Sequence, residues 1–167
     1  MDIAAKIAEL GLELPKPAAP VAAYVPVVEQ GGMLYVSGQL PFRDGQVVTG
    51  RLGDDMDIAG GQDAAQRVAL MLVAQIGQAL GGDWSRVERV VKLGVFVNSA
   101  PSFTDQAKVA NGASELFETL FGDAGRHARA AVGVAVLPLG ASAMPSFRCS
   151  RNRAAWGRAR AGRPHPC

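Results

Sequence analysis

Runs with the length and alternation of β-strands occur at five places along the chain. They are residues 22–29, 33–37, 46–48, 87–97 and 129–137. The first two runs flank Gln30, Gly31 and Gly32, a spacing that is typical of a β-hairpin. The fourth run is apolar on both faces, which predicts a strand in a sheet that is covered on each side.

Apolar residues three and four positions apart predict helices over residues 2–10, 57–80 and 102–121. Asp57 stands where an N-cap is expected, and glycines follow the two long helices at positions 81 and 122. Prolines at positions 15, 17 and 20 predict an extended linker, because each fixes φ. This order predicts an α+β fold, a β-sheet with two helices packed on one face, and one more strand near the C-terminus.

The run at residues 129–137 combines an arginine with small side chains. Alternation gives it one face that suits the core and carries Ala130, Val132, Val134 and Val136. The opposite face carries Arg129, Ala131, Gly133 and Ala135. Small neighbours leave room in front of the guanidinium, which could then hold a carboxylate bidentately. A surface arginine at the start of a strand gives the same spacing, and spacing alone favours that simpler interpretation.

Charge is distributed unevenly along the chain. Six of the 17 lysines and arginines lie in residues 148–167, which contain no aspartate or glutamate. Residues 1–147 therefore hold 11 basic and 15 acidic residues, a formal net charge of −4. Composition indicates no phosphate-binding surface on this body, and we expect no nucleic-acid partner. No apolar run has the length of a membrane span and no signal peptide is evident, so we expect no membrane partner and a cytoplasmic location.

Motifs for cofactors, metals and nucleophiles are not found. The glycine pairs at 31–32, 60–61 and 81–82 match no nucleotide-binding pattern and predict turns and caps. The two histidines, His127 and His165, have no cluster of metal-ligating residues around them in the sequence. Ser37 lies in Val-Ser-Gly-Gln, which is not a nucleophile elbow. Both cysteines, Cys149 and Cys167, follow the body, so no thiol nucleophile is predicted there.

Three stretches, in order, carry a resemblance to a known family: AAYVPVVEQGGMLYVSGQLP, VANGASELFETLFG and HARAAVGVAVLPLGA. They resemble signatures of the RidA family, also called YjgF or L-PSP, and the likeness runs from about residue 20 to residue 141. The chain resembles a less characterised branch of this family more than it resembles the well-studied deaminases. The resemblance implies a chorismate-mutase-like fold, a homotrimer with a cleft at each subunit interface, and no cofactor or metal.

The resemblance also implies an activity and its residues. Deaminating members hydrolyse reactive enamines and imines, such as 2-aminoacrylate, to keto acids and ammonia. By this likeness Arg129 is the catalytic residue and holds the carboxylate of a small metabolite. Tyr24, Ser37 and Asn111 match the other substrate-binding positions.

Departures from the deaminating pattern leave the activity open. Deaminating members have a cysteine and a glutamate where this chain has Ala131 and Gly133. They also have a glutamate on the last strand, whereas this chain has no acid after Ser142. A non-catalytic trimer that binds a small carboxylated metabolite is therefore the alternative. Endoribonuclease or translation-inhibitor activity fits less well, because the body is acidic and lacks a histidine-based acid/base pair.

The C-terminal residues 143–167 form an atypical basic tail that does not resemble the family, whose members end in an apolar strand such as Val-Glu-Val-Glu-Ala-Ile. Read from the third base of each codon, residues 143–149 permit Asp-Ala-Val-Val-Gln-Val, a strand of the family type. We interpret the tail as the product of a frameshift, with a genuine divergent tail as the alternative, and place the domain at residues 1–142. If the tail is translated as written, we expect Pro145 to interrupt the last strand and cost the sheet an edge.

Sequencing the coding DNA of independent isolates across codons 138–150 tests the frameshift. The expected result is a frame that differs from the one translated here and encodes the family-type strand. One unbroken frame, shared by all isolates and encoding the tail as written, would contradict the interpretation.

Overall fold

The computed structural model describes residues 2–17 and 23–151. Its helices are α1 (Ile3–Glu9), α2 (Ile58–Leu80) and α3 (Gln106–Phe121). Its strands are β1 (Val27–Gln30), β2 (Met33–Val36), β3 (Phe42–Arg43), β4 (Gln46–Val47), β5 (Val87–Asn98), β6 (Ala128–Val134) and β7 (Ala143–Arg151). The last proline of the predicted linker, Pro20, and residues 152–167 with His165 and Cys167 lie outside the described residues.

Five strands form one mixed sheet in the order β1-β2-β7-β5-β6. β5 and β6 are parallel and the other neighbouring pairs are antiparallel. The parallel pair requires a crossover, and α3 provides it. β3 and β4 form a separate small hairpin. The predicted α+β fold is therefore confirmed.

Local signals act where the sequence predicted them. The β1–β2 hairpin turns through Gly31 and Gly32, which both have positive φ. Asp57 caps α2 by accepting a hydrogen bond from the Gly60 N–H at 2.7 Å, and Gly81 ends the helix in the left-handed conformation. α3 begins at Gln106, later than predicted, because Pro101 and Ser102 form a turn and residues 103–105 are irregular.

The core lies between the helices and one face of the sheet. Phe117 of α3 stacks on Phe147 of β7 with ring centroids 4.7 Å apart, and both side chains are buried. Burial of one such side chain contributes roughly 1.5–3 kcal/mol. The other face of the sheet carries exposed Val28, Tyr35 and Val132. The helices of residues 2–17 and 23–151 therefore cover only one face of the sheet.

The prediction of which face of β6 lies in the core is wrong. Val132 and Val136 are 46% and 71% exposed, whereas Ala131 packs against the core and Arg129 contacts α3. β6 is an edge strand that lies close to α3, and small side chains fit between the two elements. The bulky valines consequently face the open side of the sheet.

Residues 143–151 form the central strand β7, which begins directly after the predicted domain boundary at residue 142. The expected interruption at Pro145 is wrong, because its carbonyl accepts a hydrogen bond from the Gln39 N–H on the side away from β5. The N and O atoms of one strand residue point to the same side, so the N–H that proline lacks would face the segment that follows β2. The pairing of β7 with β5 therefore loses no hydrogen bond. The frameshift itself stays a prediction.

Gly112 is the residue at which α2 and α3 approach most tightly, because a Cβ there would lie 2.0 Å from the Gln62 carbonyl oxygen. Gly112→Ala should lower the free energy of unfolding by roughly 1–3 kcal/mol despite the better helix propensity of alanine. Urea denaturation measures it. Gly60→Ala is the control, since the atoms nearest to its Cβ belong to the side chains of Asp57 and Met56, at 3.2 Å, and not to the backbone of another helix. Equal stability of Gly112→Ala and the wild type would contradict the close crossing.

Candidate functional site

Arg129 projects from the edge strand β6 toward α3. Its Nη1 donates hydrogen bonds to Asn111 Oδ1 at 2.9 Å and to Ser114 Oγ at 3.1 Å. The two acceptors are one helical turn apart, so both reach the same guanidinium. Among the described residues no carboxylate pairs with Arg129, and both hydrogen bonds use one nitrogen. The Nε and Nη2 groups, the side-on fork of the guanidinium, remain for a ligand carboxylate.

A second set of hydrogen bonds connects Ser114 to His127. Ser114 Oγ lies 3.1 Å from His127 Nε2, and His127 Nδ1 lies 2.6 Å from the Gly125 carbonyl oxygen. A carbonyl oxygen only accepts, so Nδ1 carries the proton and Nε2 of the neutral ring accepts from the Ser114 hydroxyl. The Phe117 ring stands edge-on to the imidazole. These contacts hold the imidazole in one orientation.

An open cleft of about 370 Å³ lies between α3 and the start of β6 and is lined by Ser114, Glu118, Gly125, Arg126, His127 and Arg129. Arg126 donates a hydrogen bond to Glu118 Oε1 at 2.8 Å. This hydrogen bond raises the pKa of Arg126, so the side chain stays a cation. Glu118 is thus paired with Arg126, and Arg129 is not neutralised by it.

The space beside Gly133 is not open, contrary to the prediction that small strand residues leave room for a ligand. A Cβ at Gly133 would lie 2.6 Å from Ser99 Oγ and 2.9 Å from Gln106 Nε2. Gln106 is held there by donating to the Phe103 carbonyl at 2.6 Å. Gly133 therefore accommodates Ser99 and Gln106, and the cleft opens on the side of Arg129 that lies toward His127.

Tyr24 and Ser37 lie at the other end of the sheet. Tyr24 precedes β1 and is 49% exposed, while Ser37 follows β2 and donates to the Val25 carbonyl. Three strand spacings separate β2 from β6, a distance of about 14 Å. One chain therefore brings Asn111 to Arg129 but brings neither Tyr24 nor Ser37 to it.

Sequence reasoning missed Ser114 and its link to His127. A signal existed for both residues. Ser114 follows Asn111 by three positions on one helix, so a helix that presents Asn111 to the strand presents Ser114 as well. His127 precedes Arg129 by two positions, which places the two side chains on one face of an extended segment.

Other kinds of site find no support in the described part of the chain. No three His, Cys, Asp or Glu side chains of residues 2–17 and 23–151 come together as metal ligands would. None of the helices formed by these residues has the length and apolar character for crossing a bilayer. Burial raises the pKa of Cys149 to about 12, so its thiol stays protonated and packs as part of the core.

Residues 4–147 match the family described as "YjgF/chorismate_mutase-like, putative endoribonuclease". This range covers most of the 167 residues. The chain belongs to the RidA/YjgF family. The match confirms the family that the three sequence stretches predicted, and it extends into β7.

Proteins similar to this chain include Protein TCP17 of Trypanosoma cruzi, which is 55% identical over 142 residues that cover 84% of this chain and 88% of that protein. The crystal structure of Atu1372 from Agrobacterium tumefaciens, a protein with unknown function, is 46% identical with a TM-score of 0.82, covering 89% and 91% of the two chains. A structure from Shewanella oneidensis MR-1 described as a "putative endoribonuclease" is 32% identical with a TM-score of 0.84, covering 89% and 98%.

Two further structures have lower TM-scores. RidA from an Antarctic Psychrobacter is 28% identical with a TM-score of 0.54, covering 81% of this chain and 93% of RidA. TdcF of E. coli, determined with bound serine, is 25% identical with a TM-score of 0.56, covering 82% and 94%. This chain is thus structurally more similar to Atu1372 and the Shewanella protein than to these two.

Gly133→Ala tests whether Ser99 and Gln106 occupy the space beside β6. The added methyl group should lower the free energy of unfolding by about 1–2 kcal/mol, because Ser99 Oγ and the Gln106 amide must shift. Chemical denaturation measures the loss. Ser99→Ala removes the shorter of the two contacts. Adding Gly133→Ala to Ser99→Ala should therefore lower the free energy of unfolding by less than adding it to the wild type. A stabilised Gly133→Ala single variant would contradict the packing.

Proposed function

We propose that this protein is a homotrimeric deaminase that hydrolyses small carboxylated enamines or imines, of the 2-aminoacrylate type, to keto acids and ammonia. The observation that carries the proposal is the guanidinium of Arg129. Asn111 and Ser114 hold one of its nitrogens, and no carboxylate of the described residues occupies its side-on fork. Arg129 is thus oriented before a ligand arrives, which lowers the entropy lost on binding.

The chemistry of the cleft supports a small anionic substrate. A guanidinium binds a carboxylate through two parallel hydrogen bonds, which fixes the orientation of the ligand as well as its charge. A volume of about 370 Å³ suits a small molecule. The E. coli TdcF structure contains serine, which carries a carboxylate of this kind.

The proposed trimer accounts for two features of the single chain. The sheet face opposite the helices exposes Val28, Tyr35 and Val132, which are apolar or aromatic and suit burial between subunits. Tyr24 and Ser37 lie at the opposite end of the sheet from Arg129. In the trimer, Tyr24 and Ser37 of the partner subunit would complete the cleft beside Arg129.

A non-catalytic carboxylate-binding trimer is the second candidate, and one observation favours it. Deaminating members place acids at the position of Gly133 and on the last strand. Here Ser99 and Gln106 fill the space beside Gly133, and β7 contains no acid. Arg129 would then bind a keto acid without a carboxylate to orient the attacking water.

Ammonia release from freshly generated 2-aminoacrylate distinguishes the two candidates. The wild type should accelerate it, and Arg129→Ala should lower kcat/KM about 100-fold or more through loss of roughly 3 kcal/mol of charged hydrogen bonding. Arg43→Ala is the matched control, since Arg43 is an exposed arginine on β3 that pairs with Asp63. Its kcat/KM should equal that of the wild type.

A thermal shift with pyruvate adds the second readout. Stabilisation of the wild type but not of Arg129→Ala, without ammonia release, would identify the binding protein. The absence of both pyruvate stabilisation and ammonia release would contradict both candidates.

Mixing inactive subunits tests the proposed interface site. Arg129→Ala and Tyr24→Ala should each be impaired alone, because each lacks one half of every cleft. After unfolding and refolding together at equal amounts, about a quarter of the clefts in random trimers should combine one intact half from each variant and regain activity. Sedimentation should give the mass of three chains. A monomer, or mixtures that regain no activity, would contradict the shared cleft.

A further inference from the structure

Building on the deaminase function proposed above, we propose that Ser114 and His127 form a proton relay beside Arg129. This relay carries out the acid–base step that deaminating RidA proteins assign to a glutamate. Ser114 contacts the attacking water in this arrangement, and His127 acts through Ser114. The relay consists of Arg129 Nη1, Ser114 Oγ, His127 Nε2 and the Gly125 carbonyl, joined by consecutive hydrogen bonds.

The hydrogen-bonding capacity of Ser114 leaves one place for water. A hydroxyl donates one hydrogen bond and accepts two. Ser114 Oγ donates to His127 Nε2 at 3.1 Å and accepts from Arg129 Nη1 at 3.1 Å. Its second lone pair can therefore accept a hydrogen bond from a water molecule in the cleft that Ser114, His127 and Arg129 line together.

His127 has the orientation that a base in such a pair requires. A base that acts on a hydroxyl is held in the correct tautomer by a third group, and the Gly125 carbonyl does this at Nδ1. Gly125 can lie this close to α3 because it has no side chain, since a Cβ would be 2.1 Å from the Phe117 carbonyl oxygen. The turn and the helix thus hold the imidazole through the Gly125 carbonyl, the Ser114 hydroxyl and the Phe117 ring.

The charged groups around His127 favour it over a carboxylate as the base. From α3, Glu118 lines the cleft but is hydrogen-bonded to Arg126. Asp123, in the turn before β6, also pairs with Arg126, at 3.5 Å. From β5, Arg89 donates to the Arg126 carbonyl at 3.0 Å. Both neighbouring carboxylates are therefore engaged by one arginine, while Ser114 contacts both His127 and Arg129.

The hydrolysis balances through this relay. 2-Aminoacrylate first takes a proton from solvent at its CH2 carbon, as its C=C electron pair forms the new C–H bond and the nitrogen lone pair forms C=N, and this gives an iminium. Arg129 holds the carboxylate of the iminium, and the water oxygen forms a bond to the imine carbon as the C=N electron pair moves to nitrogen. One water proton passes to Ser114 Oγ as the Ser114 proton passes to His127 Nε2, giving a neutral carbinolamine. The relay then returns that proton to the amine nitrogen. The C–N bond breaks, the C=O bond forms, and the departing ammonia takes the hydroxyl proton, giving keto acid and ammonium.

His127→Gln and Ser114→Ala test the relay in the full-length protein. Both should lower kcat for 2-aminoacrylate about 100-fold. The affinity for pyruvate, measured by calorimetry, should change by less than about threefold, because Arg129 keeps its fork and its bond to Asn111. Ser114→Thr keeps the hydroxyl and should restore most of kcat.

Thr119→Ala is the control, because Thr119 carries a hydroxyl on the same helix that bonds to the Glu115 carbonyl outside the cleft. It should behave as the wild type. Unchanged kcat in His127→Gln would overturn the relay and leave the deaminase standing. Equal losses of kcat and pyruvate affinity in His127→Gln and Ser114→Ala, or no recovery of kcat in Ser114→Thr, would show a structural role and also overturn the relay. A wild type that releases no ammonia would overturn both proposals.

Discussion

Helix α3 lies close to the edge strand β6 because Ala131 and Gly133 of the strand are small, and the geometry of the cleft follows from this contact. Gly133 accommodates Ser99 and Gln106, and Ala131 packs on the core. On its other side α3 crosses α2 at Gly112, where no side chain separates the backbones. A helix held this closely on two sides has little freedom to shift, so the groups that it presents to β6 are fixed in position.

Arg129 depends on this contact for its orientation. Asn111 and Ser114 accept hydrogen bonds from a single nitrogen, so α3 positions the guanidinium without neutralising it. Glu118, the carboxylate in the same cleft, is engaged by Arg126. The protein thereby keeps a cation at a cleft where neighbouring acids are occupied, an arrangement that favours an anionic ligand over an internal ion pair.

The departures from the deaminating pattern change meaning once the packing is known. Ser99 and Gln106 leave no space for a side chain at Gly133. An acid could stand at this position only if α3 and the turn before it moved. His127, meanwhile, is joined through Ser114 to the arginine. The TM-scores with Atu1372 and the Shewanella protein are higher than those with RidA and TdcF, so the overall fold of this chain is more similar to the first two proteins.

The amino-acid sequence determined the local elements and the family, because helix spacing, the Asp57 cap and the glycine turns act over a few residues. Through the resemblance it also predicted Arg129 and Asn111 as site residues, and the fold joins the two by a hydrogen bond. Alternation divides β6 into two faces but does not say which face meets a helix, so Val132 was misplaced. Pro145 was judged without its neighbours, although its cost depends on which strand its nitrogen faces. Only the tertiary structure decided these points, and the pairing of Ser114 with His127, because each depends on contacts between residues brought together by folding.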